Sequence, residues 1–155
     1  MKKINLILLL FISLFLLSGC EEKSKTLKFT RKEPFDDAYV DLNTDLELDF
    51  DSKNEFREAR VDLSFAVSPN ITEERKKEFK TEIYNECSNE PGINYDYCDI
   101  VEENNTYTIK LTTKELSLLD SAISSNNAND FTEDLSIDEI KELLIAKGFK
   151  LVDEK

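Results

Sequence analysis

The chain has 155 residues, 33 of them acidic and 20 basic for a net charge of −13, with no histidine, no tryptophan, three glycines and three cysteines. Its length and 40% hydrophobic content suit one domain with one core, which excludes a two-domain enzyme. The missing histidine excludes Ser-His-Asp, Cys-His and His-ligated zinc chemistry, and so few glycines exclude a glycine-rich phosphate cradle. The acidic balance argues against nucleic acid, whose phosphates are held by lysine and arginine, so a partner recognised by charge should be cationic.

The N-terminus begins Met1-Lys2-Lys3, followed by an apolar run from Ile4 to Leu17 interrupted only by Asn5 and Ser13. This is the pattern of a secretion signal. A helix over that run would span about 21 Å, short of the roughly 30 Å hydrocarbon core of a bilayer. The run ends in Leu17-Ser18-Gly19-Cys20, which resembles the lipobox of bacterial lipoproteins. That resemblance implies cleavage between Gly19 and Cys20 and a thioether-linked diacylglycerol on Cys20, with palmitate among the acyl chains expected. Losing residues 1–19 removes Lys2 and Lys3 and takes the net charge from −13 to −15. Residues 20–26 then form a lipidated cysteine and short polar tether, reaching at most about 20 Å, and 27–155 form the domain. The expected location is the extracytoplasmic face of a cell membrane, where acyl chains hold even an acidic domain.

Leu27 and Phe29 alternate with Lys28 and Thr30 as a short strand, followed after Pro34 by an acidic link at Asp36-Asp37. Leu46, Leu48 and Phe50 alternate with Asp45, Glu47 and Asp49, and Val61, Leu63, Phe65 and Val67 repeat the pattern beyond the turn residues Asp51-Ser52-Lys53-Asn54. These runs predict a hairpin. Asn70-Ile71-Thr72-Glu73 supplies an N-cap with an acid three residues on, opening a helix to about Cys87 whose inward stripe is Phe79, Ile83 and Cys87. Beyond Pro91-Gly92, a strand over Ile93–Val101 and another through Tyr107, Ile109 and Leu111 predict a second hairpin around Asn104-Asn105. Thr112-Thr113-Lys114-Glu115 reads as a capping box for a helix bearing Leu116, Leu119 and Ile123. The polar segment Ser124–Asp134 reads as a mobile loop with Phe131 its only large apolar residue. Ser136-Ile137-Asp138-Glu139 caps a last helix, with Ile140, Leu143 and Leu144 inward and Gly148 at its end, before a short strand or tail at Phe149, Leu151 and Val152. This order predicts an α+β domain, an antiparallel sheet of about four to six strands in hairpins covered on one face by helices.

The lipobox, the two hairpins around a capped helix, and the ending Leu143-Leu144-Ile145-Ala146-Lys147-Gly148-Phe149-Lys150-Leu151-Val152 together resemble the YehR-like family of small bacterial lipoproteins. The resemblance implies a helix packed on a curled antiparallel sheet and brings no catalytic residues. The acidic stretch Asp36–Asp51 and the Cys87/Cys98 pair depart from that pattern.

With Cys20 assigned to lipid, Cys87 and Cys98 remain as an even pair in an oxidising compartment, and a disulfide is the first expectation. Two buried thiols or a redox or metal pair are the alternatives, although the spacing lacks Cys-x-x-Cys. The strongest chemical feature is the ladder Asp45-x-Glu47-x-Asp49-x-Asp51, with Asp36, Asp37 and Asp41 upstream. It reads as a solvated outer strand face, an acidic docking surface or a calcium site; a strand spaces same-face carboxylates about 6.6 Å apart, too far to share one ion without bending. Glu102-Glu103 or Asp49/Asp51 could nominally serve a glycosidase, but nothing in the spacing selects a pair. Tyr95, Tyr97 and Tyr107 form either an aromatic patch or ordinary cross-strand packing, and Arg75, Lys76, Lys77 and Lys80 read as the solvated face of a helix. The functional expectation is a lipid-anchored, non-catalytic binding module without a cofactor. Its alternatives are a calcium-binding or metal-dependent envelope protein and an acidic inhibitor or immunity lipoprotein against a cationic protein.

Overall fold

A computed structural model describes residues 24–36, 39–88, 95–123 and 130–155. The signal segment, Cys20, Asp37 and residues 124–129 of the expected loop lie outside these residues.

Period-two alternation sorts the side chains of the central strands onto two unlike faces of a six-stranded sheet. The strands are β1 (Lys25–Asp36), β2 (Val40–Phe50), β3 (Phe56–Val67), β4 (Tyr97–Glu103), β5 (Thr106–Thr113) and β6 (Lys150–Glu154), in the order β4-β5-β3-β2-β1-β6, with every pairing antiparallel. On β2 every even position from Val40 to Phe50 is buried, and the odd positions carry Asp41, Asn43, Asp45, Glu47 and Asp49 at the surface. The inner face packs with α1 (Glu73–Ser88), α2 (Leu119–Ile123) behind a 3-10 turn at Leu116–Leu118, and α3 (Ile137–Ala146) around one apolar cluster. The α+β expectation therefore holds.

Two asparagine-bearing turns set the hairpins. Asn104 and Asn105 have φ of 50° and 62°, the left-handed pair that a two-residue turn between β4 and β5 requires. At the β2–β3 turn, Asp51 accepts from the backbone N–H of Lys53 at 2.8 Å and of Glu55 at 3.0 Å, while Asn54 takes φ 64°. At the end of α3, Gly148 has φ 86°, and the Phe149 N–H closes on the Leu144 carbonyl at 3.0 Å.

The helix α1 has little apolar surface, and it docks through Phe79 and Ile83. Phe79 meets the rings of Phe65 at 5.7 Å and Tyr107 at 6.1 Å edge-on. Lys76 donates to Asn105 at 2.7 Å and Lys80 to Glu102 at 2.5 Å, so two of the four basic residues expected on a solvated face instead tie the helix to the β4–β5 hairpin. Cys87 in its last turn and Cys98 on β4 lie at disulfide distance, with Cα atoms 5.6 Å apart.

Several local readings change. The first strand runs through Pro34 to Asp36; β6 flanks β1 only over Leu27–Thr30, so Pro34 sits where that side of β1 is an open edge, next to a register shift. Thr72 rather than Asn70 caps α1, its hydroxyl accepting from the Arg75 N–H at 3.3 Å. The segment Thr112–Glu115 is not a capping box: Thr112 and Thr113 finish β5, and Thr113 Oγ1 takes the Glu115 N–H at 3.1 Å. Strand β4 begins at Tyr97, and the expected start at Ile93 lies outside the described residues. The box at Ser136 is as expected, with the Glu139 N–H on Ser136 Oγ at 3.3 Å and the Ser136 N–H on the Glu139 carboxylate at 2.8 Å.

A buried polar clasp joins the C-terminal elements to β1. Asp120 is 3% exposed; it pairs with Lys147 at 3.1 Å and accepts the Phe131 N–H at 3.1 Å. Lys147 also meets Asp130 at 2.7 Å, and this bond leads the causes that raise its pKa. Arg31 stacks 4.6 Å from the Phe149 ring centroid and donates to the carbonyls of Ile123 at 2.7 Å and Lys147 at 3.2 Å. Phe131, the lone large apolar residue of its polar segment, is buried beside this clasp.

Candidate functional site: the charged outer face

The outer face carries a groove of about 540 Å³ whose lining comes from all six strands, Val152 of β6 at one edge and Tyr97 of β4 at the other. Both edges reach the same groove, so the outer face is concave across its width. A volume of this size lies within the range of small-ligand sites.

Register arranges the lining in two rows across the strands. In the first, Lys28 faces Glu47, Glu47 faces Arg60, Arg60 faces Thr112, and Thr112 faces Tyr97. Opposite charges meet at the first two steps: Lys28 and Glu47 pair at 2.5 Å and Arg60 and Glu47 at 2.8 Å, while Arg60 also reaches Asp49 and, at 3.0 Å, Glu58. The hydrogen bond that Lys28 donates to Glu47 raises its pKa, keeping the ammonium charged. In the second row, Asp45 faces Asp62 and Asp62 faces Lys110, which faces Asp99. Here one like-charged pair, Asp45 and Asp62, meets. Asp45 accepts from the Asn43 amide at 2.8 Å, and Asp62 has Lys110 at 3.8 Å.

The expected acidic ladder is thus divided. Asp45, Glu47 and Asp49 do share the outer face of β2, but Glu47 and Asp49 are tied to Arg60, and Asp49 also accepts from Thr26 Oγ1 at 2.6 Å. Asp51 leaves the ladder. It belongs to the β2–β3 turn, where the Glu55 N–H foremost, with Lys53 N–H and Arg57, pulls its pKa below the usual carboxylate range. Among the described residues, no group of three or more His, Cys, Asp or Glu side chains is placed to hold a metal ion. Cys87 and Cys98 lie beneath the sheet's other face, apart from the groove.

The tyrosines separate as well. Tyr107 is buried in the core, Tyr95 packs against it, and Tyr97 stands 51% exposed with its hydroxyl donating to Asp99 at 3.1 Å, so no aromatic patch forms. That bond raises the Tyr97 pKa. The cationic members of the groove, Lys28, Arg60 and Lys110, were not singled out by sequence. Each lies on a different strand from the acid it faces, and only the register brings them together.

Compared with known family models, curated proteins and solved structures, the chain matches none.

Proposed function

We propose that the protein is a lipid-anchored, extracytoplasmic binding module of a bacterial envelope, whose binding face is the outer face of the sheet. The observation that carries the binding part is the groove itself: one sheet face is filled by helices, and the other offers a concave, solvent-facing lining of ionic, hydroxyl and apolar groups from all six strands. The anchoring part rests on Leu17-Ser18-Gly19-Cys20 and on the start of β1 at Lys25, five residues beyond Cys20. The cysteine pair at disulfide distance suits the oxidising compartment to which such a signal leads. In this reading the domain binds without a cofactor and without catalysing a reaction.

The experiment is expression of the full chain beside Cys20→Ala, with fractionation and intact mass. A diacylglycerol adduct in the membrane fraction, lost in the variant, supports anchoring; an unmodified soluble chain defeats it. For the binding part, ligands retained by the wild-type protein should be lost with Tyr97→Ala and Lys110→Glu. Retention by both variants would place binding elsewhere.

A narrower reading makes the module an inhibitor or immunity lipoprotein that docks a cationic protein. The meeting of Asp45 with Asp62 favours it, since a cationic side chain would relieve that repulsion. Binding to such a partner should weaken with salt and with Asp45→Asn. The calcium reading draws on the same carboxylates and requires that millimolar calcium raise the melting temperature.

A further inference from the structure

The place where the chain enters the sheet fixes one end of the molecule beside the anchor. Lys25 opens β1 and faces Phe50, the last residue of β2; the hairpin then continues past Lys25 through the exposed turn residues Ser52–Glu55. On the other side of β1, Thr26 and Lys155 exchange backbone bonds at 3.0 and 3.1 Å. Thr113, which faces Ala59, brings Lys114 to the same end. The five-residue step from Cys20 to Lys25 reaches at most about 18 Å, whereas β2 alone is about 35 Å long.

Both ends carry mixed charge. The anchored end carries Lys25, Lys53, Arg57, Lys114 and Lys155 interleaved with acids, Arg57 pairing with Asp51 at 2.8 Å, Lys155 with Asp153 at 3.2 Å and Lys25 with Glu154 at 4.0 Å. The opposite end, marked by the Asn104-Asn105 turn and the start of α1, carries Asp41, Glu73, Glu74, Glu102 and Glu103 together with Lys76 on Asn105 and Lys80 on Glu102. The short tether, rather than charge, therefore decides which end meets the bilayer.

We infer that the domain stands end-on upon the bilayer, with the β2–β3 turn at the lipid headgroups and the Asn104-Asn105 turn held farthest from them. The inference rests on the lipid-anchor reading above. The strands then run along the membrane normal, and the groove opens sideways, parallel to the membrane plane.

The test uses the full chain purified from membranes and reconstituted in vesicles of phosphatidylethanolamine and phosphatidylglycerol. A fluorophore is placed on Ser52→Cys in the β2–β3 turn or on Glu103→Cys at the far end, both exposed sites, and lipids bearing a quencher in the headgroup region are added. Quenching at the Ser52 site several-fold stronger than at the Glu103 site is the expected result. Equal quenching, or stronger quenching at Glu103, overturns the orientation. Intact mass and flotation of the same samples are read first. A chain without an adduct on Cys20 that fails to float overturns the anchor reading, and the orientation falls with it. A chain that is acylated and floats, but is quenched equally at both sites, overturns the orientation alone.

Discussion

Asp45 of β2 and Asp62 of β3 face each other directly across the strand pairing on the outer face of the sheet. In the row beside them Lys28, Glu47 and Arg60 alternate in charge, so the meeting of Asp45 with Asp62 sacrifices stability by comparison. Like charges placed opposite one another in a sheet cost roughly 0.2–1 kcal/mol. Asp45→Asn should therefore raise the urea midpoint by an amount equivalent to an unfolding free-energy gain within that range, with the gain shrinking in 1 M salt. A lower midpoint would show that the Asp45 carboxylate is stabilised by its surroundings.

Arg60 is the opposite case. It bridges Glu47, Asp49 and Glu58, and its removal leaves three carboxylates close together. Because the site is half-exposed, Arg60→Ala should cost only about 1 kcal/mol, and more at low ionic strength than at high. Urea titrations at two salt concentrations measure both terms.

Asp120 works in a dry setting. Asp120→Ala strips Lys147 of a buried partner and leaves the Phe131 N–H without its acceptor, which should cost about 3 kcal/mol. The effect should be local before it is global: amide exchange of Phe131 and Phe149 should accelerate first. A loss below 1 kcal/mol would mean that solvent replaces the carboxylate.

Cys87 and Cys98 close α1 onto β4 across a sequence separation of 11. Linking them should add about 3 kcal/mol by restricting the unfolded chain, so the oxidised protein should melt well above Cys87→Ser/Cys98→Ser. Since α1 brings only Phe79 and Ile83 fully into the core, its exchange protection should fall most in the double variant. Identical melting of the two proteins would indicate free thiols.

Acid should unfold the protein by protonating carboxylates that the fold holds below their usual pKa: Asp51 by the Glu55 N–H, Glu102 by Lys80, Glu139 by the Ser136 hydroxyl, and Glu154 by Lys141. Depressed values favour the folded state above the unfolded pKa, and that advantage disappears as pH falls through the folded values. The melting temperature should hold between about pH 7 and 5 and decline below about pH 4. Glu139→Gln should flatten part of the decline, and a melting temperature still rising at pH 3 would contradict the assignment.

Much of this fold was legible because alternation is a local signal. Asp45, Glu47 and Asp49 against Leu46, Leu48 and Phe50 already placed the acids on one face of a strand, and Ser136 with Glu139 identified a cap from four adjacent residues. The site was less legible because its pairs are not local. Lys28 meets Glu47 through the β1–β2 pairing, and Tyr97 enters the groove only because β4 lies at one edge and β6 at the other. Asp51 illustrates the limit: the same every-other-residue spacing continues to it, but the strand ends at Phe50 and its carboxylate is taken by turn amides. Asp120 gave no signal, since its partners Phe131 and Lys147 belong to later elements.

The mutual backbone bonds of Thr26 and Lys155 make the domain suitable for circular permutation. A short linker could join these neighbouring residues, and the chain could be reopened between Asn104 and Asn105, in an exposed turn where Asn105 would keep its bonds from Val67 and Lys76. Such a rearranged chain would keep every strand neighbour while its new N-terminus emerged from the opposite pole. A lipobox leader fused there would suspend the same domain upside down.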